Sequence, residues 1–165
     1  MEIKIRHIHS EDYVAVHQIF SSAHVIKGTM RLPHQPLEYT QKRLAQSDDV
    51  IKLAACVDDE VVGYAELITY PQAPRHRHAG EINMIVVHAE WQGKGVGRAL
   101  MQAMIDLADN WLNLNRLSLS VWASNERAMC LYQKCGFAVE GVMKNFVFSH
   151  GTYTDACLMA RVNCS

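Results

Sequence analysis

Between Glu90 and Trp111 the chain reads EWQGKGVGRALMQAMIDLADNW. Gly93, Gly95 and Gly97 alternate with Lys94, Val96 and Arg98, behind Gln92. A glycine-rich turn that opens a helix can present successive backbone N–H groups to an anion, and the helix dipole adds partial positive charge at the same point. Side chains there would hold a phosphate away. Lys94 and Arg98 bring cationic charge to the loop. Two familiar phosphate templates fail on spacing. A Walker A loop needs Gly-Lys-Ser/Thr after a first glycine and four further residues, but Arg98 stands five positions after Gly93. The dinucleotide fingerprint GxGxxG, begun at Gly93 or Gly95, needs glycine where Arg98 or Leu100 stands. What remains is Gln92-x-x-Gly95-x-Gly97, an anion-binding turn of another kind.

Further along, SNERAMCLYQKCGF places Tyr132 seven residues after Asn125 and four after Ala128, which puts all three on one face of a helix. Upstream, Glu81 opens the strand EINMIVVH. Period-two alternation predicts Glu81, Asn83, Ile85 and Val87 on one face, so that a carboxylate shares a surface with the approach to the loop. His88 follows on the opposite parity. His76 and His78 in PRHRHAG form a pair of imidazoles, but no carboxylate or cysteine completes a ligand set, and the stretch reads as a solvated basic loop with no metal.

The elements that must carry these residues follow from periodicity. EIKIRHI alternates as a strand, and Ser10-Glu11-Asp12 supplies a cap and acidic first turn for a helix through about Phe20. Residues 21–36 read as irregular around Gly28, Pro33 and Pro36, and Leu37 to Ala45 as a short helix. VIKLAACVDDEVVGYAELITY is a hairpin turning at Asp58-Asp59-Glu60. After the glycine loop, Leu100, Met104, Leu107 and Trp111 form an apolar stripe, with Arg98, Gln102, Asp106 and Asp109 turned outward. RLSLSVWA is a strand. The next helix is capped by Ser124 or Asn125 and closed by Gly136 in the left-handed conformation. FAVEGV and TYTDACLMARV supply the last two strands. The sum is an α/β domain with a strand–loop–helix–strand unit at its centre.

With 165 residues, 49% apolar and 20% charged, the chain suits one compact domain. A formal charge of −1 gives no bulk electrostatic reason for nucleic acid or an anionic membrane as partner. The alternating start MEIKIRHIHS is unlike a signal peptide, and no apolar run approaches the ~20 residues of a membrane span. Cys56, Cys130, Cys135, Cys157 and Cys164 are odd in number and form no CxxC pair, which points to free thiols and a cytoplasmic location. Cys130 and Cys135 read as small packing residues.

VHAEWQGKGVGRALM resembles motif A of the GCN5-related N-acetyltransferases (GNAT), and SNERAMCLYQKCGF resembles the family's next motif, N-x-x-A-x-x-x-Y-x-x-x-G-F. Both occur in order and at family spacing within residues 81–141. In length and pattern the chain is similar to small bacterial enzymes of the L-amino acid N-acyltransferase type. The resemblance implies a single N-acetyltransferase domain over residues 1–165, with a mixed central sheet of about seven strands flanked by about four helices. It implies acetyl-CoA as cosubstrate, no metal, and direct transfer in a ternary complex. By match, Gln92, Gly93, Lys94, Gly95, Val96, Gly97 and Arg98 would hold the pyrophosphate. The backbone of Ile85, Val86 and Val87 would pair with the pantetheine arm and polarise the thioester carbonyl. Asn125 would bond a pantetheine amide, Ala128 would leave room for it, and Tyr132 would protonate the departing sulfur.

Free amines are mostly protonated near pH 7, so a base is wanted, and Glu81 matches a catalytic glutamate of some members. An amino-acid acceptor would bring a carboxylate in need of a cation, for which Arg31, His34, Arg75 and Arg77 stand in suitable loops. A protein or peptide amine, and a non-catalytic acyl-CoA-binding module, are the alternative readings. Family habit and apolar C-terminal strands point to a homodimer.

Overall fold

The computed structural model describes residues 1–163, so Cys164 lies outside the described residues. Within them the strands are β1 (Lys4–His7), β2 (Val50–Val57), β3 (Glu60–Thr69), β4 (Ala79–Val87), β5 (Arg116–Trp122), β6 (Ala138–Ser149) and β7 (Thr152–Val162). The helices are α1 (Tyr13–Phe20), α2 (Ala23–Gly28), α3 (Leu37–Arg43), α4 (Val96–Asp106) and α5 (Glu126–Lys134). The strands form one mixed sheet in the order β1-β2-β3-β4-β5-β7-β6.

Two apolar clusters lie on opposite faces of this sheet. α4 buries Val96, Leu100, Met101 and Met104 on one face, together with Leu67 and Ile82 of the sheet. α1 buries Val16, Ile19 and Phe20 on the other, together with Tyr64, Met84 and Val86. Gly63 lets α4 seat closely, because a Cβ there would stand 2.8 Å from Val96 Cγ1 and 3.1 Å from Leu100 Cδ1.

Several local expectations change. Residues 21–36 are not wholly irregular, since α2 occupies Ala23–Gly28, and five α-helices are present among the described residues where about four were expected. Ser10–Asp12 forms a 3-10 turn whose opening N–H, from His9, is taken by the Asp12 carboxylate at 2.7 Å. The third helix ends at Arg43, short of Ala45. The last hairpin is longer than FAVEGV suggested: β6 runs to Ser149, with one register shift against β7 at Glu140 and a second, between Met143 and Val147, that absorbs the polar interruption around Lys144 and Asn145.

Trp111 does not extend the core stripe and is 75% exposed. The helix widens into a π turn over Leu107–Trp111, where Leu112 N–H reaches back to the Leu107 carbonyl. A wider turn advances less than 100° per residue, so the stripe continues through buried Ala108 and rotates Trp111 into solvent.

The alternation expected along β4 also breaks. Glu66 of β3 faces Met84, and Leu67 faces Ile82, so Asn83 is an extra residue in β4. Such a bulge exchanges the faces beyond it. Ile82, Ile85 and Val87 all pack toward α4, whereas Met84 and Val86 pack toward α1. Glu81 therefore does not share a face with Ile85 and Val87.

Candidate active site

The bulge lies where the sheet divides. β4 and β5 pair only through Ala79–Glu81 against Arg116–Ser118. Beyond these positions β4 stays with β3 as far as Val87, while β5 stays with β7 as far as Trp122. Each strand follows its outer neighbour, and the two part. A cleft of about 1200 Å³ opens between them, bounded by the glycine loop, α5 and the segment from His24 to Arg31.

Strand geometry decides which backbone groups face the gap. His88 N–H bonds the Val62 carbonyl at 2.8 Å, so alternation turns the polar groups of Val86 toward β3 and those of Ile85 and Val87 toward the cleft. The Val87 carbonyl already accepts a bond there, from His24 Nε2 at 2.8 Å. A second tie crosses from the other arm, where Trp122 Nε1–H donates to the Lys27 carbonyl at 2.8 Å. Thus α2, which sequence periodicity did not reveal, is anchored to β4 at one end and to β5 at the other.

At the mouth of the cleft Gly93 and Gly95 adopt φ of +74° and +90°, a conformation side chains disfavour. Gly95 caps α4, whose backbone ladder is entered by the bond from Ala99 N–H to the Gly95 carbonyl. The N–H groups of the preceding residues are left to point out of the helix end. Arg127, from the first turn of α5, brings Nη2 within 3.2 Å of where a Gly93 Cβ would stand. Gln92, Gly93, Gly95, Val96, Gly97 and Arg98 line the cleft together with Arg127. Lys94 is exposed, with Nζ 4.8 Å from the centre of the Trp91 ring.

On α5, Asn125, Ala128 and Tyr132 all line the cleft. Asn125 is the cap, its Oδ1 accepting from Ala128 N–H at 3.2 Å, and Gly136 ends the helix at φ +94°. Burial, with a smaller contribution from Cys135, pushes the Tyr132 hydroxyl up to about 12. At the opposite end of the cleft, Glu81 accepts a bond from the Tyr70 hydroxyl at 3.2 Å. His88 is occupied locally, with Nδ1 accepting from Glu90 N–H at the turn before the loop.

Of the four cations considered for an acceptor carboxylate, Arg31 lines the cleft. His34, Arg75 and Arg77 are exposed and are not among the lining residues, and Arg77 bonds the Pro71 carbonyl.

A buried polar network that the sequence did not suggest lies beneath this end. Glu66, 3% exposed, receives Arg43 Nε at 2.6 Å and the Tyr64 hydroxyl at 2.7 Å on Oε1. Its Oε2 receives Arg43 Nη2 at 2.9 Å and Asn83 Nδ2 at 2.8 Å. Burial alone would raise the Glu66 pKa, but the bonds from Arg43, Asn83 and Tyr64 outweigh it and hold the carboxylate below its ordinary value. Each oxygen having two donors, the network ties α3, β3 and the bulge of β4 together. A glutamate in an otherwise apolar strand facing an arginine in a helix was the available signal, but it gave no register.

The cleft fits a long ligand that is anionic at one end: helix-end N–H groups and Arg98 and Arg127 at the glycine loop, then a strand edge with Ile85 and Val87 polar groups turned inward. Among the described residues no group of three His, Cys, Asp or Glu could hold a metal ion, and no helix is long and apolar enough to cross a membrane.

Known proteins resemble this chain in sequence and in fold. The model of the Acetyltransferase (GNAT) family matches residues 6–137. The L-amino acid N-acetyltransferase AaaT of Escherichia coli K12 is 40% identical over 161 residues, which is 98% of either chain. A spermidine N(1)-acetyltransferase of the same organism is 29% identical, covering 95% of this chain and 84% of its own. The crystal structure of a GNAT superfamily phosphinothricin acetyltransferase from Sinorhizobium meliloti, in complex with AcCoA, shares the fold with a TM-score of 0.85 over 99% of this chain and 89% of that one, at 21% identity.

Proposed function

The chain belongs to the GNAT acetyltransferase family and is an N-acetyltransferase, and from that premise we propose that it transfers an acetyl group from acetyl-CoA directly to the primary amine of a small molecule, a free amino acid, while both are bound. One observation carries the reading: a single cleft, opened where two strand arms part, has a glycine-rich helix end and two arginines at its mouth, a carboxylate, Glu81, at its far end, and Tyr132 of α5 along its lining. The similarity to an L-amino acid N-acetyltransferase along nearly the whole chain supports the acceptor class, and residues 1–165 are taken as one N-acetyltransferase domain.

Acetyl-CoA supplies an activated acyl group on a thiol leaving group. In the proposal the N–H groups of Gly93 to Arg98 hold its pyrophosphate, and those of Ile85 and Val87 orient the arm and meet the carbonyl oxygen that gains charge. Asn125 keeps its amide N–H₂ free for the arm, since its Oδ1 is spent on the α5 cap. Glu81 takes a proton from the acceptor ammonium, directly or through water, and so frees the attacking lone pair. Tyr132 acts on the departing sulfur. With its pKa at about 12 it stays protonated at working pH and is a much weaker acid than a thiol near 8.5. Its contribution is a hydrogen bond to the sulfur as negative charge develops, in place of the proton donation expected from the motif; the second proton of the attacking nitrogen, shed as the tetrahedral adduct collapses, goes to the departing thiolate or to water.

The test is amine-dependent release of CoA thiol across a panel of amino acids and amines. Tyr132→Phe is expected to lower kcat about 10- to 100-fold, the range for one hydrogen bond to a charged group, with CoA affinity changed less than about twofold. Unchanged kcat would remove Tyr132 from the reaction, and tight CoA binding without any amine-dependent release would favour a non-catalytic acyl-CoA binder. The proposal includes a homodimer, supported by the exposed Val142, Phe148 and Tyr153 on β6 and β7; sedimentation velocity giving only monomer would overturn that part.

A further inference from the structure

Resting on the small-amine reading above, we infer that Arg31 is the specificity-determining residue that reads a carboxylate on the acceptor, so that the site takes amino acids in preference to polyamines. The charges at the acceptor end are few. Arg31, Arg43, Glu81 and the exposed Lys27 line the cleft away from the glycine loop. Arg43 is already neutralised by the buried Glu66, through both Nε and Nη2. Arg31 is different. It is half-buried, and among the described residues its guanidinium has neither an ion-pair nor a hydrogen-bond partner. It lies 4.1 Å above the centre of the Phe20 ring, and Phe20 is itself 1% exposed. The ring holds the guanidinium without satisfying its N–H groups, which leaves them for a ligand in the cleft that Arg31 lines.

The electrostatics of the two arginines run in opposite directions. Burial, and then the charge of Arg43, lower the Arg31 pKa, and Glu66 and Tyr64 recover only part of that. Burial also lowers that of Arg43, but the Glu66 bonds more than restore it and leave it raised. Arg31 is thus a partly desolvated cation still lacking an anion. Glu81 contributes the other sign on the same lip of β4, two residues from the Asn83 that bonds Glu66. A site whose one half-buried unmatched cation stands with one carboxylate complements a zwitterion, with its amine toward Glu81 and its carboxylate toward Arg31, while Lys27 remains in solvent at the rim. A polyamine would meet Glu81 equally well but would bring a second cation toward Arg31, where like charges repel.

The experiment compares the best acceptor among the twenty common L-amino acids with its carboxamide, and with spermidine, by rates of CoA thiol release for the wild type, Arg31→Met and Arg31→Lys. The wild type is expected to favour the acid over the amide by roughly 10- to 100-fold in kcat/KM, mostly through KM, the range for one charge-assisted hydrogen-bonded contact. Arg31→Met should bring the acid down to the level of the amide and leave the amide within about threefold of wild type. Arg31→Lys should recover part of the preference. Equal use of acid and amide by the wild type overturns the inference, and so does an Arg31→Met enzyme that loses both substrates in parallel, which would mark a merely structural role over Phe20. Turnover of spermidine and the amide without the acid overturns this inference while leaving small-amine acetylation standing. No release with any of the three removes that reading and this inference with it.

Discussion

Glu66→Gln changes one buried atom from an acceptor to a donor, and the network around it determines the result. Oε1 serves Arg43 Nε and the Tyr64 hydroxyl, while Oε2 serves Arg43 Nη2 and Asn83 Nδ2. An amide can present its oxygen to only one of these pairs. The better placing puts the N–H₂ on the Oε1 side, where the Tyr64 hydroxyl can turn and accept, but Arg43 Nε then faces a donor. One charge-assisted bond is lost and the remainder lose the charge of the carboxylate, Arg43 Nη2 keeping its own. At about 1.5–3 kcal/mol for a bond to a charged group the local loss approaches 3–5 kcal/mol. The Arg43 side chain is 33% exposed and water can partly replace the lost partner, which brings the expected destabilisation to about 2–4 kcal/mol. For a chain of this size that is a fall in Tm of about 5–15 °C.

The effect carries a pH signature. The folded-state pKa of Glu66 is depressed, so its contribution is fully present above the unfolded carboxylate value near 4.3 and is lost as pH falls through the folded value. Thermal and urea unfolding of wild type and variant should show the full gap at pH 7 and a narrowing gap below about pH 4. A Tm within about 1 °C of wild type at pH 7, or a gap unaffected by acid, would refute the network as drawn.

Gly63→Ala drives a methyl to 2.8 Å from Val96 Cγ1 at the start of α4, so it should cost about 1–3 kcal/mol and weaken CoA binding through displacement of the glycine loop, read by urea unfolding and calorimetry. Trp111→Ser should change stability by less than about 0.5 kcal/mol, because the π turn leaves the ring in solvent; a core-sized loss on chemical denaturation would restore the uninterrupted stripe.

The features legible before folding are those in which chemistry and local geometry coincide. Gly93, Gly95 and Gly97 before an amphipathic run read as a helix-end turn because only neighbouring residues decide it. Asn125, Ala128 and Tyr132 share a helix face because seven and four residues are whole numbers of turns, near enough. The hairpin at Asp58-Asp59-Glu60 and the left-handed Gly136 are local in the same sense. The remaining features depend on contacts between elements. The extra residue at Asn83 exists only in the pairing of β4 with β3, and period-two counting carried straight across it, putting Glu81 on the face of Ile85 and Val87. The cleft itself exists because β4 and β5 obey different neighbours. The separation of Arg31 from Arg75 and Arg77, alike as basic loop residues, came from where the chain between α2 and α3 lies over Phe20, and Glu66 met Arg43 across 23 residues of sequence. Spacing arithmetic holds within one uninterrupted element; a bulge, a parting of strands or a buried ion pair is set by contacts between elements, and there the fold alone fixes which residues meet.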